Sequence, residues 1–156
     1  MKRTIYFLFP LLLFAFVVLS VETKAQTIRG SIIGGAAARG STARGVITMA
    51  IPGGLHVNSN RPSSEYAIPT TVRISGAGVR IGTVNFPRGS NRKFQFSESL
   101  LNVYEGRVSF PFTVKVPANF NGNTIRLGAT VRYQACTNEV CYPPRTKEIT
   151  ITARVR

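Results

Sequence analysis

"GRVSFPFTVKV", residues 106–116, alternates without a break. Val108, Phe110, Phe112, Val114 and Val116 fall on one side, and Arg107, Ser109, Pro111, Thr113 and Lys115 on the other. A period of two with one apolar face is the signature of a half-buried strand. Pro111 has no N–H to give to a ladder, so an edge or bulged strand is expected. "NFNGN" (119–123) supplies turn residues. The alternation resumes in "TIRLGATVRYQAC" (124–136), with Ile125, Leu127, Ala129, Val131, Tyr133 and Ala135 inward and Arg126, Thr130, Arg132, Gln134 and Cys136 on the polar face. "KEITITARV" (147–155) repeats it through Ile149, Ile151, Ala153 and Val155.

Upstream, "RGVITMAI" (44–51), "GLHVNS" (54–59), "TTVRIS" (70–75) and "VRIGTVNF" (79–86) read as further strands separated by Gly, Pro, Asn and Ser. "FSESLLNVY" (96–104) is the one candidate for a helical turn. About seven short strands without a helical pattern predict an all-β fold, an antiparallel β-sandwich of immunoglobulin-like type. With no Trp and no widely spaced Cys pair, it is not an antibody domain.

The chain has 156 residues, the size of one domain. Lys2 and Arg3 precede the apolar run "TIYFLFPLLLFAFVVLSV" (4–21), and "ETKA" follows, the layout of a secretory signal peptide over residues 1–25. An uncleaved anchor is the competing reading, since the run approaches the roughly 20 residues of a spanning helix. Residues 26–43, rich in Gly, Ala and Arg, read as a flexible lead, leaving 44–156 as the folded domain. "GGAAARG" lacks the Gly-Lys-Ser/Thr ending and preceding strand of a phosphate loop. Removing Lys2, Arg3, Lys24 and Glu22 from 20 basic and 6 acidic residues leaves 17 and 5, a net charge of +12. Such a surface attracts anionic polymers, lipids or acidic proteins. Its basic residues are scattered and no aromatic RNA-binding signature accompanies them, so nucleic acid is not an expected partner.

"QACTNEVCYPPR" (134–145) holds both cysteines. A staple, a metal site and a working dithiol are the three options. A disulfide would require the chain to turn back, because extended residues advance over 3 Å each and bridged α-carbons lie about 4.4–6.8 Å apart. Thr137, Asn138, Glu139 and Val140 suit a four-residue hairpin loop with Cys136 and Cys141 at its mouth, accessible on the polar face. A staple across so short a loop would add roughly 2 kcal/mol. Two cysteines and the single His56 do not complete a closed zinc site. For a working dithiol, Arg132 and Arg145 are candidates to favour the thiolate and Glu139 to oppose it. Pro143 and Pro144 keep the rim free of strand pairing.

"VRYQACTNEVCYPPRTKEITI" (131–151) resembles the active-site hairpin of the N-terminal periplasmic domain of the thiol:disulfide interchange protein DsbD family. The residues that carry the likeness are Tyr133, Gln134, Cys136, Cys141, Tyr142, Pro143, Pro144 and Thr146. Gly54, His56, Asn58 and Pro62 resemble an upstream segment of the same family, and the likeness spans about residues 44–155. The resemblance implies an immunoglobulin-like fold and a redox-active Cys136–Cys141 pair that exchanges electrons with periplasmic thioredoxin-fold partners, without a cofactor. It also implies a cap loop over the sulfurs, here "RKFQFSES" (92–99) with Phe94 or Phe96. Arg92, Lys93 and Gln95 stand where the family often has acidic residues; close to the sulfurs, they would ease thiolate formation. His56 and Asn58 fall where the family can have tyrosines. His56 is read either as a local base or hydrogen-bond donor, or as a half-exposed strand residue.

Two classes of function follow. In the first, the chain is an exported thiol–disulfide interchange domain, leaning to a disulfide reductase, that draws on a separate membrane or periplasmic reductant. The resemblance favours Cys141 as the partner-bonded sulfur. In the second, it is a basic immunoglobulin-like binding module whose disulfide is structural. In a third reading it is an accessory or regulatory domain of a membrane redox complex encoded elsewhere.

Overall fold

The computed structural model describes residues 25–156. The expected export signal, and its alternative as an anchor, lie outside the described residues, of which Ala25 is the first. Among the described residues there are twelve strands and no helix, so none is long and apolar enough to cross a membrane.

The strands form three sheets. The first runs β1 (Thr27–Ile32), β3 (Thr42–Ala50), β9 (Arg107–Lys115), β6 (Arg80–Ile81). The second runs β2 (Ala36–Ala37), β12 (Arg145–Val155), β10 (Thr124–Tyr133), β5 (Thr71–Gly76). The third and smallest runs β11 (Ala135–Cys136), β4 (His56–Asn58), β8 (Leu101–Tyr104), β7 (Ser90–Arg92). Every pairing is antiparallel except that of β2 with β12.

The alternation read from the sequence becomes the core. Val108, Phe110, Phe112 and Val114 of β9 join Ile47 and Met49 of β3. Ile125, Leu127, Ala129, Val131 and Tyr133 of β10, with Ile151, Ala153 and Val155 of β12, complete the same cluster from the other sheet. The result is an all-β, immunoglobulin-like sandwich. The Phe112 ring lies over Gly45, its cross-strand partner, and a Cβ at that position would collide with the ring.

Several expectations need correction. Residues 26–43 are not a flexible lead. All six residues of β1 pair with β3, and β2 pairs with β12. Arg39 fastens the turn after β2, its Nη2 donating to the Gly122 carbonyl at 2.7 Å and its Nε to the Phe120 carbonyl at 3.2 Å. The fold thus begins well before residue 44. The apolar partners of this segment lie far along the chain, so local composition did not show them. Gly30 is the clearest case, because a Cβ there would lie 2.5 Å from Ile151 Cδ1.

Pro111 lies in neither an edge strand nor a bulge: β9 pairs in unbroken register with β3. Bonds from Val116 N to the Ser41 carbonyl and from Ile51 N to the Gly106 carbonyl place the ladder bonds at odd-numbered β3 residues. Pro111 stands opposite Val46, so its nitrogen faces away from β3, where no ladder bond is lost. Of "VRIGTVNF", only Arg80 and Ile81 form a strand; the rest runs beside β9, with Asn85 N donating to the Pro111 carbonyl at 2.8 Å. "FSESLLNVY" makes no helical turn, since its second half is β8, drawn into extended form by pairing with β4 and β7.

Candidate functional site

The site is built on the small third sheet. The chain leaves β10 at Tyr133, breaks ladder at Gln134, and enters β11, which pairs with β4 rather than with β12. Across that pair Ala135 stands opposite Val57, and Cys136 opposite His56. Ala135 and Val57 belong to the main core. Alternation therefore turns Cys136, His56 and Asn58 to the sheet's other face.

Cys136 and Cys141 are joined by a disulfide, with α-carbons 4.0 Å apart across an isolated antiparallel bridge. The four-residue loop between them is the expected hairpin. Thr137 N donates to the Val140 carbonyl (2.8 Å) and Tyr142 N to the Ala135 carbonyl (2.9 Å). The Thr137 hydroxyl accepts from Glu139 N (3.2 Å) and Val140 N (3.1 Å). Thr137 was legible only as a turn residue; Thr at the head of a tight turn is the signal for this closing role.

The pair is not uniformly accessible, as the alternation suggested. Cys141 is exposed, but Cys136 is 0 % exposed. The polar face of β10 gives way at β11 to a face covered by a separate segment. On that face the loop containing Phe94 lies against His56, the residue opposite Cys136. The Phe94 ring, 6 % exposed, stacks on the His56 imidazole at 3.9 Å and packs with Leu101 and Val103 of β8 in a satellite cluster. Phe96 is 38 % exposed, 6.3 Å from His56 and stacked on Phe94 at 5.5 Å. Gln95 N donates to the Asn138 carbonyl (3.3 Å), tying this loop to the cysteine hairpin. Phe94 is thus the inner and Phe96 the outer of the two cap candidates.

Gln134 and Asn58 are brought together at the centre. Asn58 Nδ2 donates to Gln134 Oε1 (3.2 Å) and to the Ile68 carbonyl (3.1 Å). Gln134 Nε2 donates to the Tyr142 carbonyl (3.2 Å), beside Cys141. Gln134 therefore links the sheet, the loop after β4 and the exit of the hairpin. Beside it a cavity of about 430 Å³ is lined by Phe96, Tyr66, Leu101, Gln134 and Cys141. Tyr142, Pro143 and Pro144 are exposed. Tyr133 lies in the main core.

The basic residues beside Phe94 direct their donors to other groups. Arg92 binds Glu105 Oε2 through Nε (3.0 Å) and Nη2 (2.8 Å), and Lys93 donates to the Glu98 carbonyl. His56 is 2 % exposed, so it is a strand residue but not a half-exposed one. Burial holds its imidazole below the ordinary value, and the Glu105 carboxylate acts in the opposite direction. Burial raises the Tyr133 phenol, with Arg145 opposing. His56 Nε2, Asn58 Oδ1 and Tyr133 OH are buried without a hydrogen-bond partner in the protein.

Chemically, a disulfide with one exposed and one buried cysteine in a short loop is suited to exchange through the exposed one. Comparison with known proteins agrees in kind. The chain is similar to the N-terminal domain of DsbD from Neisseria meningitidis in its reduced form, at 21 % identity and a TM-score of 0.46, covering 70 % of this chain and 80 % of that one. It also resembles the N-terminal periplasmic domain of ScsB from Proteus mirabilis, at 12 % identity and a TM-score of 0.54, covering 85 % of this chain. This chain spans about half of that domain, 47 %, and the likeness is one of fold. No curated protein matches the sequence. The family model of the thiol:disulfide interchange protein DsbD, N-terminal, matches residues 32–153, and on that extent the chain belongs to this family, one of thiol–disulfide interchange.

Proposed function

We propose that this chain is an exported, periplasmic interchange domain that passes reducing equivalents to thioredoxin-fold proteins, with Cys141 as the sulfur that the partner bonds. The asymmetry of the pair supports the reading: Cys141 is exposed, whereas Cys136 is wholly buried. In the dithiol form, the Cys141 thiolate attacks the partner's disulfide, and one partner thiolate leaves. Cys136 then attacks the Cys141 sulfur, closing the Cys136–Cys141 bond and releasing the partner's second thiolate. Two electrons and two protons pass to the partner. A separate dithiol protein restores the reduced pair. Exposed Tyr66, Phe96, Val140 and Tyr142 give a docking partner apolar surface near Cys141.

Trapping tests the assignment. Cys136→Ala leaves Cys141 without its resolving thiol and is expected to hold thioredoxin-fold proteins from periplasmic extract as mixed disulfides. Cys141→Ala is expected to hold few. Failure of both variants to trap, together with a reduction potential below about −300 mV, would mark a structural bond and return the basic binding-module reading.

A further inference from the structure

Among the described residues, His56 is the single histidine, and nothing in the sandwich explains its position. It occupies β4 directly opposite Cys136, where cross-strand side chains on one face stand about 4.5–5.5 Å apart at Cβ. One ring face is closed by Phe94 at 3.9 Å with an interplanar angle of 12°. His56 and Cys136 are 2 % and 0 % exposed, so neither faces bulk solvent. Nε2 is buried and unpartnered, an arrangement that costs stability unless the atom is used.

We infer that His56 is the proton acceptor for Cys136 when that buried thiol resolves the mixed disulfide on Cys141. The inference rests on the exchange reading above. The need for it is physical. A thiol is a poor nucleophile until deprotonated, and burial among apolar groups raises the energy of the thiolate. An adjacent base is the usual remedy. In the step, the Cys136 S–H proton passes to His56 Nε2 while the Cys136 sulfur bonds to the Cys141 sulfur. The Cys141–partner bond breaks, and its electron pair leaves on the partner thiolate. That thiolate takes up a proton from the imidazolium or from solvent.

The surroundings suit a neutral imidazole ready to accept. Burial disfavours its charged form, and the carboxylate that acts on it, Glu105 just after β8, is bound by Arg92 of the cap. Lys93 is turned to the Glu98 carbonyl. Tyr104 of β8 belongs to the main core and bonds Asn60 Oδ1 at 2.8 Å. On β11 the titratable neighbour is Cys136 itself. Glu105 would steady the imidazolium while it carries the proton.

The test separates the two sulfurs. The reduced protein is mixed in stopped flow with dithiobis(nitrobenzoate), an aromatic disulfide with a coloured leaving thiolate. Cys141 releases the first thiolate in a concentration-dependent phase, and Cys136 releases the second in a unimolecular phase. His56→Phe keeps an aromatic ring against Phe94 but has no nitrogen, and His56→Gln keeps polarity without the base. A positioned base is worth at least about 100-fold. Both variants are therefore expected to lower the ratio of the second rate to the first by about tenfold or more at pH 7. In the wild type this ratio should fall as acid protonates His56, and in the variants that inflection should be missing. A fall of less than about tenfold in both variants overturns the base assignment, since His56 would then be structural. Loss of the first phase in the wild type would overturn the exchange reading instead.

Discussion

Reducing the Cys136–Cys141 bond should cost the fold about 2 kcal/mol and leave its unfolding cooperative. The figure follows from the loop. Six residues are closed by the bond, and loop-closure entropy for so small a ring is about 7 cal/mol/K, or about 2 kcal/mol at room temperature. Nothing else need be lost on reduction. The Thr137–Val140 and Tyr142–Ala135 backbone bonds close the same loop without sulfur. The Thr137 hydroxyl and the Gln134 amide hold its two ends. Urea unfolding with and without a phosphine reductant measures the difference: the midpoint should fall by about 1 M at an unchanged slope. The melting temperature should fall by roughly 8 °C for a domain of this size. Loss of cooperativity on reduction, or a cost above about 4 kcal/mol, would refute the reasoning, since the bond would then be a structural staple. A protein that cycles between both states must keep its fold in each.

Other outcomes follow from the same geometry. Phe94→Ala removes the ring stacked on His56, opposite Cys136; if that ring shields the disulfide, the change should speed its reduction by dithiothreitol about tenfold or more, while destabilising the domain by roughly 3 kcal/mol in urea titrations. Gln134→Leu leaves Asn58 Nδ2 with one partner fewer and frees the Tyr142 carbonyl, a loss of about 1–3 kcal/mol by the same titration. Because burial lowers the His56 pKa, the unfolded chain binds the extra proton first. Stability should therefore decline as pH falls from about 6.5 towards the folded-state pKa, and His56→Phe should abolish that part of the slope in urea unfolding from pH 7 to 5. Deleting residues 26–41 removes β1, β2 and the Arg39 anchor, and circular dichroism should show the domain unfolded rather than trimmed.

Where burial is one-sided, the strands were legible. β9, β10 and β12 alternate because one face meets the core and the other meets solvent, and that asymmetry is written residue by residue. β4 is buried on both faces, so its period disappeared and His56 looked half exposed. β1 carries Gly30 where Ile151 of the facing sheet needs room, and a glycine reads locally as flexibility. β8 is apolar at Leu101, Val103 and Tyr104, and its short run did not distinguish a turn of helix from a strand.

The sequence alone determined the all-β sandwich and the hairpin that turns Cys136 back to Cys141, because alternation and turn chemistry act over a few neighbouring residues. Tertiary structure decided which sulfur meets solvent. At Gln134 the chain passes from a sheet whose outer face is open to one where Phe94, from a loop some forty residues earlier, stacks on His56 opposite Cys136. No local pattern around Cys136 could express that cover, since burial there is a property of the two segments together.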